Sequence, residues 1–407
     1  MLRRNISHSL QESMTDTPVS LLLGPRQSGK STLVMSIAER EGITYRTLDD
    51  ATVMSAAATD PVGFLRSLGD RAVIDEVQRV PELLVAIKTS VDEKRDPGRY
   101  ILTGSSNIMT LPRISESLAG RMEIHTLRPF SQGELGNKND RFVDTVFEEI
   151  PDTEGEHSKE RLIARVLQGG FPEAVTRTSH KRRNAWFSSY ISTVLSRDVR
   201  DVARIEYIND LPRLLRILAA RTGSLLNYSE LSNSTTITQS TLKRYIKILE
   251  TIFLFEPLEA WASNRGKRLI KSPKVHLIDT GLAAMMIGLD ENKAIEDQLS
   301  FGPLLESFVV NELRKQISWS ACDCRLYHYR SSSGKEVDAV LEASDSRVVG
   351  IEVKSTASVK SSDFQGLRSL KDDAGVRFVR GIVFYDGKMT VNFEDNLAAV
   401  PFSALWS

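Results

Sequence analysis

Eight residues near the start of the chain, Gly24, Pro25, Arg26, Gln27, Ser28, Gly29, Lys30 and Ser31, followed by Thr32, follow the pattern GxxxxGK[ST]. Glycines at these places let backbone N–H groups curl around an anion, and a helix beginning there adds partial positive charge. The pattern predicts a nucleoside-triphosphate site, with Lys30 reaching the β- and γ-phosphates of ATP and Ser31 holding Mg²⁺. A short apolar run ending in two acids, Ala72-Val-Ile-Asp75-Glu76, supplies the further carboxylate such a site needs. At the carboxyl edge of a parallel sheet, Asp75 would meet the metal, usually through water, and Glu76 would orient or deprotonate the attacking water. The next run ends Thr103-Gly-Ser105-Ser-Asn107, which places Ser105 or Asn107 to sense the γ-phosphate, a plain turn being the alternative. Arg121 is either an arginine finger given to a neighbouring subunit or an ordinary surface pairing.

A second group of ionisable residues lies toward the other end. Asp338, Glu352 and Lys354 resemble the PD-(D/E)XK nuclease signature, with Glu306 on a preceding helix as a further ligand. Glu352 and Lys354 are two apart on a strand-like run, so they share a face. A hairpin centred on Asp345 would set Asp338 opposite Glu352, with Cβ atoms ~4.5–5.5 Å apart. Two like charges there repel unless a divalent cation bridges them, and hard oxygen ligands suit Mg²⁺ or Mn²⁺. Lys354 would then orient or deprotonate the attacking water. Val337, Ala339 and Leu341, with Val349, Ile351 and Val353, are expected to form the buried face. The same register sets Glu336 opposite Lys354, so a partly exposed hairpin with a cross-strand salt bridge is the alternative. The signature's leading proline is absent, Val337 standing in its place.

Between these lies helix-turn-helix grammar over residues 227–250. Ser229 can cap a short helix and Thr238 a longer one. Leu242, Tyr245, Ile246 and Leu249 make one apolar face, leaving Lys243, Arg244 and Lys247 off it. Phe253–Leu258 and Lys274–Ile278 are candidate wing strands. The stretch between them carries Arg265, Lys267, Arg268, Lys271 and Lys274 and no acid. These five cations are the best local phosphate-binding patch, and Lys243, Arg244 and Lys247 are available for DNA phosphates or a groove, the alternative being a winged helix used for protein packing.

The elements that must position these groups follow from periodicity. Strand-like runs at Val19–Leu23, Thr44–Leu48, Ala72–Ile74, Tyr100–Thr103 and Met122–Leu127 alternate with helical stretches, as in a mainly parallel sheet. From Lys159 the period turns helical; after Phe301 a helix precedes three strands, a second helix and a further strand. The expected division is 1–140 for the first domain, 141–205 for a linker and helical region, 206–295 for a winged-helix-like domain and 296–407 for the last. The 407 residues carry 53 Lys plus Arg and 53 Asp plus Glu, so no global basic field draws in nucleic acid. The longest apolar run, Gly281–Leu289, stops at nine residues, too short for a membrane span. The two cysteines, Cys322 and Cys324, cannot form a disulfide framework, which points to a reduced, cytoplasmic setting.

The order GPRQSGKST, VIDEVQRVPEL, ILTGSSN, SLAGRMEIHTLRPFSQGEL, with LQGGFPEAV, YISTVLSRDV, PKVHLIDTGL and GKEVDAVLE…IEVKS further on, resembles an AAA-type branch of bacterial and archaeal P-loop ATPases. Members of that branch carry a C-terminal domain of unknown function with a restriction-endonuclease-like fold. The resemblance covers nearly the whole chain. It implies a P-loop NTPase core and an α/β restriction-endonuclease-like end, so that with the helical and winged-helix middle read from the residues the expected fold class is α/β, a parallel P-loop sheet followed by those two parts. It also implies ATP hydrolysis and homo-oligomerisation. The expected function is a DNA-processing ATPase with a nuclease-like module. The alternative is a non-nucleolytic, nucleotide-dependent switch whose last domain only binds DNA or a partner.

Overall fold

All five residues of β1 (Val19–Leu23) are buried, as a continuous Val/Leu run demands of a strand covered on both faces. The computed structural model describes residues 2–106, 118–153, 158–202, 210–268 and 270–406, side chains at 200–202, 265 and 267 excepted. β1 lies between β4 (Tyr100–Gly104) and β5 (Met122–Thr126), and β3 (Ala72–Asp75) and β2 (Thr44–Thr47) extend the sheet in the order β2-β3-β4-β1-β5. Every pairing is parallel. Leu22, Val73 and Ile101 pack under α1 (Ser7–Asp16) and α2 (Lys30–Glu41), while Leu21, Leu23, Ile74 and Leu102 face the helix Leu83–Glu93. The loops after β1 and β3 therefore leave the sheet at one edge.

The middle region is helical, with α3 (His180–Val202) and the helix Leu211–Ala220 leading to α4 (Tyr228–Thr235) and α5 (Gln239–Thr251). Thr238 caps α5 by accepting from Thr241 N–H, as its position suggests. The cap of α4 is Asn227 rather than Ser229, because the Asn227 side chain accepts from the N–H groups of both Ser229 and Glu230. The expected wing pairs antiparallel at Phe255↔Leu277 and Leu258↔Lys274. Its first arm then runs on into β6 (Ala260–Trp261), which joins the C-terminal sheet beside β7 (Cys324–Arg330).

That sheet has seven strands in the order β11-β12-β10-β9-β8-β7-β6. The remaining strands are β8 (Glu336–Ala343), β9 (Val348–Val353), β10 (Phe378–Tyr385), β11 (Val391–Glu394) and β12 (Leu397–Pro401). The long helix α6 (Gln298–Ile317) covers one face and α7 (Gln365–Ala374) the other. The expectation of a single buried face therefore fails. Ala339, Leu341, Val349 and Ile351 join the core of α6, whereas Val337, Val340 and Val348 join that of α7. Val337 parts from Ala339 because the pairing slips between Tyr327↔Val340 and Tyr329↔Val337, setting Asp338 and Ala339 against His328 alone. Such a bulge re-aims side chains. One hydrophobic cluster runs from Phe142 to Leu405, uniting the middle and last regions.

Candidate nucleotide site and C-terminal carboxylate cluster

The loop between β1 and α2 turns through left-handed backbone at Gln27 (φ 61°) and Gly29 (φ 98°). Gly24, at φ 149°, is indispensable for a second reason: a Cβ there would meet Leu127 O at 2.1 Å. Lys30 folds back into the loop, donating to the carbonyls of Gly24 and Pro25 at 2.9 Å each. Burial lowers its pKa to about 8, against the pull of Glu76 and Asp75. Ser28 is buried with its hydroxyl unpartnered among the described residues, and Thr32 is exposed.

Ser31 donates to Asp75, with its Oγ 3.0 and 3.1 Å from the carboxylate oxygens. Tyr45 OH donates to Asp75 Oδ2 at 2.9 Å and Thr103 Oγ1 donates to Oδ1. Glu76 adopts left-handed backbone (φ 59°), uncommon for a residue with a side chain, and its N–H is caught by Thr103 Oγ1 at 3.0 Å. Its carboxylate accepts from Ser105 Oγ at 3.0 Å and from Gln78. The chemistry of this donor set fits a nucleoside triphosphate with its cation: an ammonium held only by loop carbonyls, a hydroxyl in a backbone cradle without a partner among the described residues, and a hydroxyl–carboxylate pair beside a further carboxylate. Asn107 lies outside the described residues.

Three neighbours of the loop escape a motif reading. Arg26 pairs with Asp198 on α3 at 3.2 Å, which, despite burial, raises its pKa. Arg4 donates to Ser28 O at 2.7 Å from behind and pairs with Glu134 at 3.1 Å. Tyr45 reaches Asp75 from β2. Asp198 and Arg4 lie far along the chain from the loop, and only the fold brings them there. Arg121 stands just before β5, at the edge of the sheet opposite the loop, and pairs with Asp92 at 2.5 Å.

The C-terminal hairpin has the expected register: Ala339↔Ile351, Val340↔Gly350 and Leu341↔Val349 centre it on Asp345. The surroundings differ from the expectation. Lys274 is 3% exposed, and its Nζ lies 2.8 Å from Glu306 Oε1 and 3.3 Å from Asp338 Oδ1. The other Asp338 oxygen accepts from Val353 N–H at 2.9 Å. Glu352 pairs with Lys354 at 2.8 Å through one oxygen, and its other oxygen is buried without a partner among the described residues. Burial and the nearby Asp338 push the Glu352 carboxyl up to about 8 and that of Glu306 well above the usual range. The cross-strand pair of Glu336 and Lys354 does not form, since Glu336 binds Arg330 at 3.2 Å. Among the described residues no group of three His, Cys, Asp or Glu side chains is placed to hold a metal ion. The cluster as it stands does not fit a divalent cation.

The basic patch is likewise divided. Lys243, Arg244 and Lys247 are exposed on α5, where Lys247 touches Glu250 at 2.9 Å. Arg268 is buried against Glu342 and Lys274 against Glu306, so neither is free for a phosphate, contrary to the reading from charge alone. Each is neutralised inside the protein because burying an unpaired cation is costly. Lys271 is half-buried and donates to Arg330 O at 2.9 Å. The side chains of Arg265 and Lys267 lie outside the described set. No described helix is long and apolar enough to cross a membrane.

Residues 16–136 match the AAA domain, 159–293 a domain of unknown function (DUF8612) and 301–405 another (DUF4143). The chain is 30% identical over 400 residues to the uncharacterized proteins Rv2008c of Mycobacterium tuberculosis and Mb2031c of Mycobacterium bovis, spanning 98% of this chain and 83% of each relative. A Haemophilus influenzae protein is 23% identical over 317 residues, 70% of this chain and 73% of its own length. Among solved structures, a Walker-type ATPase of Pyrococcus abyssi is similar at 17% identity and a TM-score of 0.44, over 70% of this chain and 96% of its own. RuvB of Thermotoga maritima is similar at 21% identity and a TM-score of 0.30, over 62% and 88%. With an AAA domain built on an all-parallel sheet around the Gly24–Ser31 loop, the chain belongs to the family of these mycobacterial proteins and is an AAA-type P-loop ATPase.

Proposed function

We propose that the chain is an ATP-hydrolysing switch that works as a homo-oligomer, engages DNA through α5, and uses its last domain as a binding module. The observation that carries the reading is the meeting of Lys30, Ser31, Asp75 and Glu76 at one sheet edge, with Ser31 and Asp75 3.0 Å apart. The backbone from Gly24 to Thr32 would cradle the phosphates, with Lys30 leaving its carbonyls for them. Ser31 and Asp75 would hold Mg²⁺, which when bound neutralises phosphate charge. Glu76 would hold the proton of the attacking water. Ser105, bonded to Glu76, is the residue through which the state of the γ-phosphate would be felt. Arg121, at the far edge of its own sheet and paired with Asp92, cannot reach its own loop and would act, if in turnover at all, as a finger in a neighbour's site.

Exposure of Lys243, Arg244 and Lys247 on the second helix of a helix-turn-helix supports contact with DNA phosphates. The nuclease reading draws on the Asp345-centred register and on the order of α6, three strands, α7 and a strand, which supports a restriction-endonuclease-like fold. The ion pairs of Lys274 weigh against cleavage. ATP turnover measured with and without duplex DNA tests the switch. Lys243→Glu/Arg244→Glu should keep basal turnover and lose any stimulation by DNA. Turnover in the parent chain indifferent to DNA at low salt would reject the DNA arm and leave a switch acting on a protein partner.

A further inference from the structure

We infer that Lys274 takes the place of a divalent cation in the C-terminal carboxylate cluster, so that metal and lysine exclude one another there. Lys274 is not a surface cation that happens to reach inward. Its backbone is fixed on both sides, exchanging hydrogen bonds with Leu258 at 2.8 and 3.0 Å and bridging to Leu225. The side chain projects from the wing toward α6 and β8, where Glu306 and Asp338 receive its ammonium.

The bulge at Asp338 and Ala339 accompanies this arrangement, standing where Asp338 meets the ammonium. Gly223, at φ 76°, lets the loop after Leu211–Ala220 close over Glu306, since a Cβ there would lie 3.0 Å from Glu306 Oε2. Above these groups a cleft of about 690 Å³, lined by Gly223, Asn227, Pro303, Arg330 and Glu336 as well as Lys274, opens to solvent. Of the cluster only Lys274 lines that cleft, while the side chains of Glu306 and Asp338 keep 13% and 14% of their surface exposed.

The competition is geometric. Mg²⁺ and Mn²⁺ need oxygen ligands at roughly 2.0–2.2 Å. An ion bound at that distance to Glu306 Oε1 and Asp338 Oδ1 would compete for the two atoms that the ammonium already holds at 2.8 and 3.3 Å. Two positive charges would also meet in a buried site. Of the remaining oxygens, Asp338 Oδ2 serves Val353 N–H and Glu352 Oε1 serves Lys354, which leaves Glu352 Oε2 buried without a partner among the described residues and ready to join Glu306 and Asp338 around an ion once the ammonium is gone. This inference concerns the junction of the wing with the last domain and stands whether or not α5 contacts DNA.

The test is Mn²⁺ titration of the nucleotide-free full chain followed by electron paramagnetic resonance, comparing the parent, Asp338→Asn, Lys274→Met and Lys274→Met/Asp338→Asn. The parent and Asp338→Asn should bind the same amount of Mn²⁺, any weak P-loop binding being common to both. Lys274→Met should gain one ion per chain at millimolar Mn²⁺ or below, and the double variant should lose it. A parent chain that binds an ion which Asp338→Asn removes would overturn the inference, without reference to any Lys274 variant. So would a folded Lys274→Met that gains no ion. If Lys274→Met is insoluble, Lys274→Gln, which keeps a polar donor, takes its place with the same two expectations.

Discussion

Arg26, inside the phosphate loop, and Asp198, on α3, are 172 positions apart in the chain and 3.2 Å apart in space. The loop is therefore tied to the helical region as well as to its own sheet. Hydrogen bonds to charged groups contribute about 1.5–3 kcal/mol. Asp198→Asn should lower turnover about tenfold or more, in line with that figure, while circular dichroism stays that of the parent. Unchanged turnover would reduce the pair to a packing contact.

Nucleotide affinity should depend on pH through Lys30. Its pKa is held near 8 by burial, so above that pH the empty site carries a neutral amine. Phosphate favours the ammonium, so binding above pH 8 takes up a proton and affinity falls as pH rises. Calorimetry at pH 8.5 in buffers of different ionisation enthalpy should register that uptake in the parent, and Lys30→Ala should bind no nucleotide.

Glu76→Gln should retain nucleotide binding and lose turnover by about 10²–10⁴-fold, the usual reach of a positioned base. A variant with normal turnover would remove Glu76 from the reaction.

Arg121→Ala should lower turnover at protein concentrations that support assembly and have no effect on dilute monomer. Sedimentation velocity alongside turnover checks both conditions; equal loss in the monomer would assign Arg121 to its pair with Asp92.

The Glu352 carboxyl, raised to about 8, binds its proton more tightly folded than unfolded. The chain accordingly loses stability as pH rises from about 4.5, the usual value, through 8. Glu352→Gln should flatten that fall, by on the order of 1–3 kcal/mol between pH 5 and 8.5 in denaturant midpoints.

Much of this architecture is legible in residue order. All five strands of the first sheet appear as β-branched or leucine runs, and Asp345 marks the centre of the C-terminal hairpin from spacing alone. Lys274 was not legible as a buried ion pair. It sits in a run of cations without acids, which reads as solvated, while its partners Glu306 and Asp338 lie 32 and 64 positions further on. The second buried face of the last sheet was hidden for a related reason. Alternation shows that one side is apolar, but Val340 and Val348 declare the other only once α7 is laid across them. Asp198 has no local signal at all, being one acid among several charges near the end of α3.

The placement of β6 has a bearing on how this chain can be divided. Ala260 and Trp261 come from the stretch before α6 yet close the border of the last sheet against His328 and Tyr329. A fragment begun at residue 296 would expose the backbone donors and acceptors of β7 and strip the fully buried Trp261 from its neighbour Tyr329. Bare strand borders recruit other chains. Expression of that piece alone should yield aggregates, whereas a cut upstream, within residues 137–141, would leave the shared core whole.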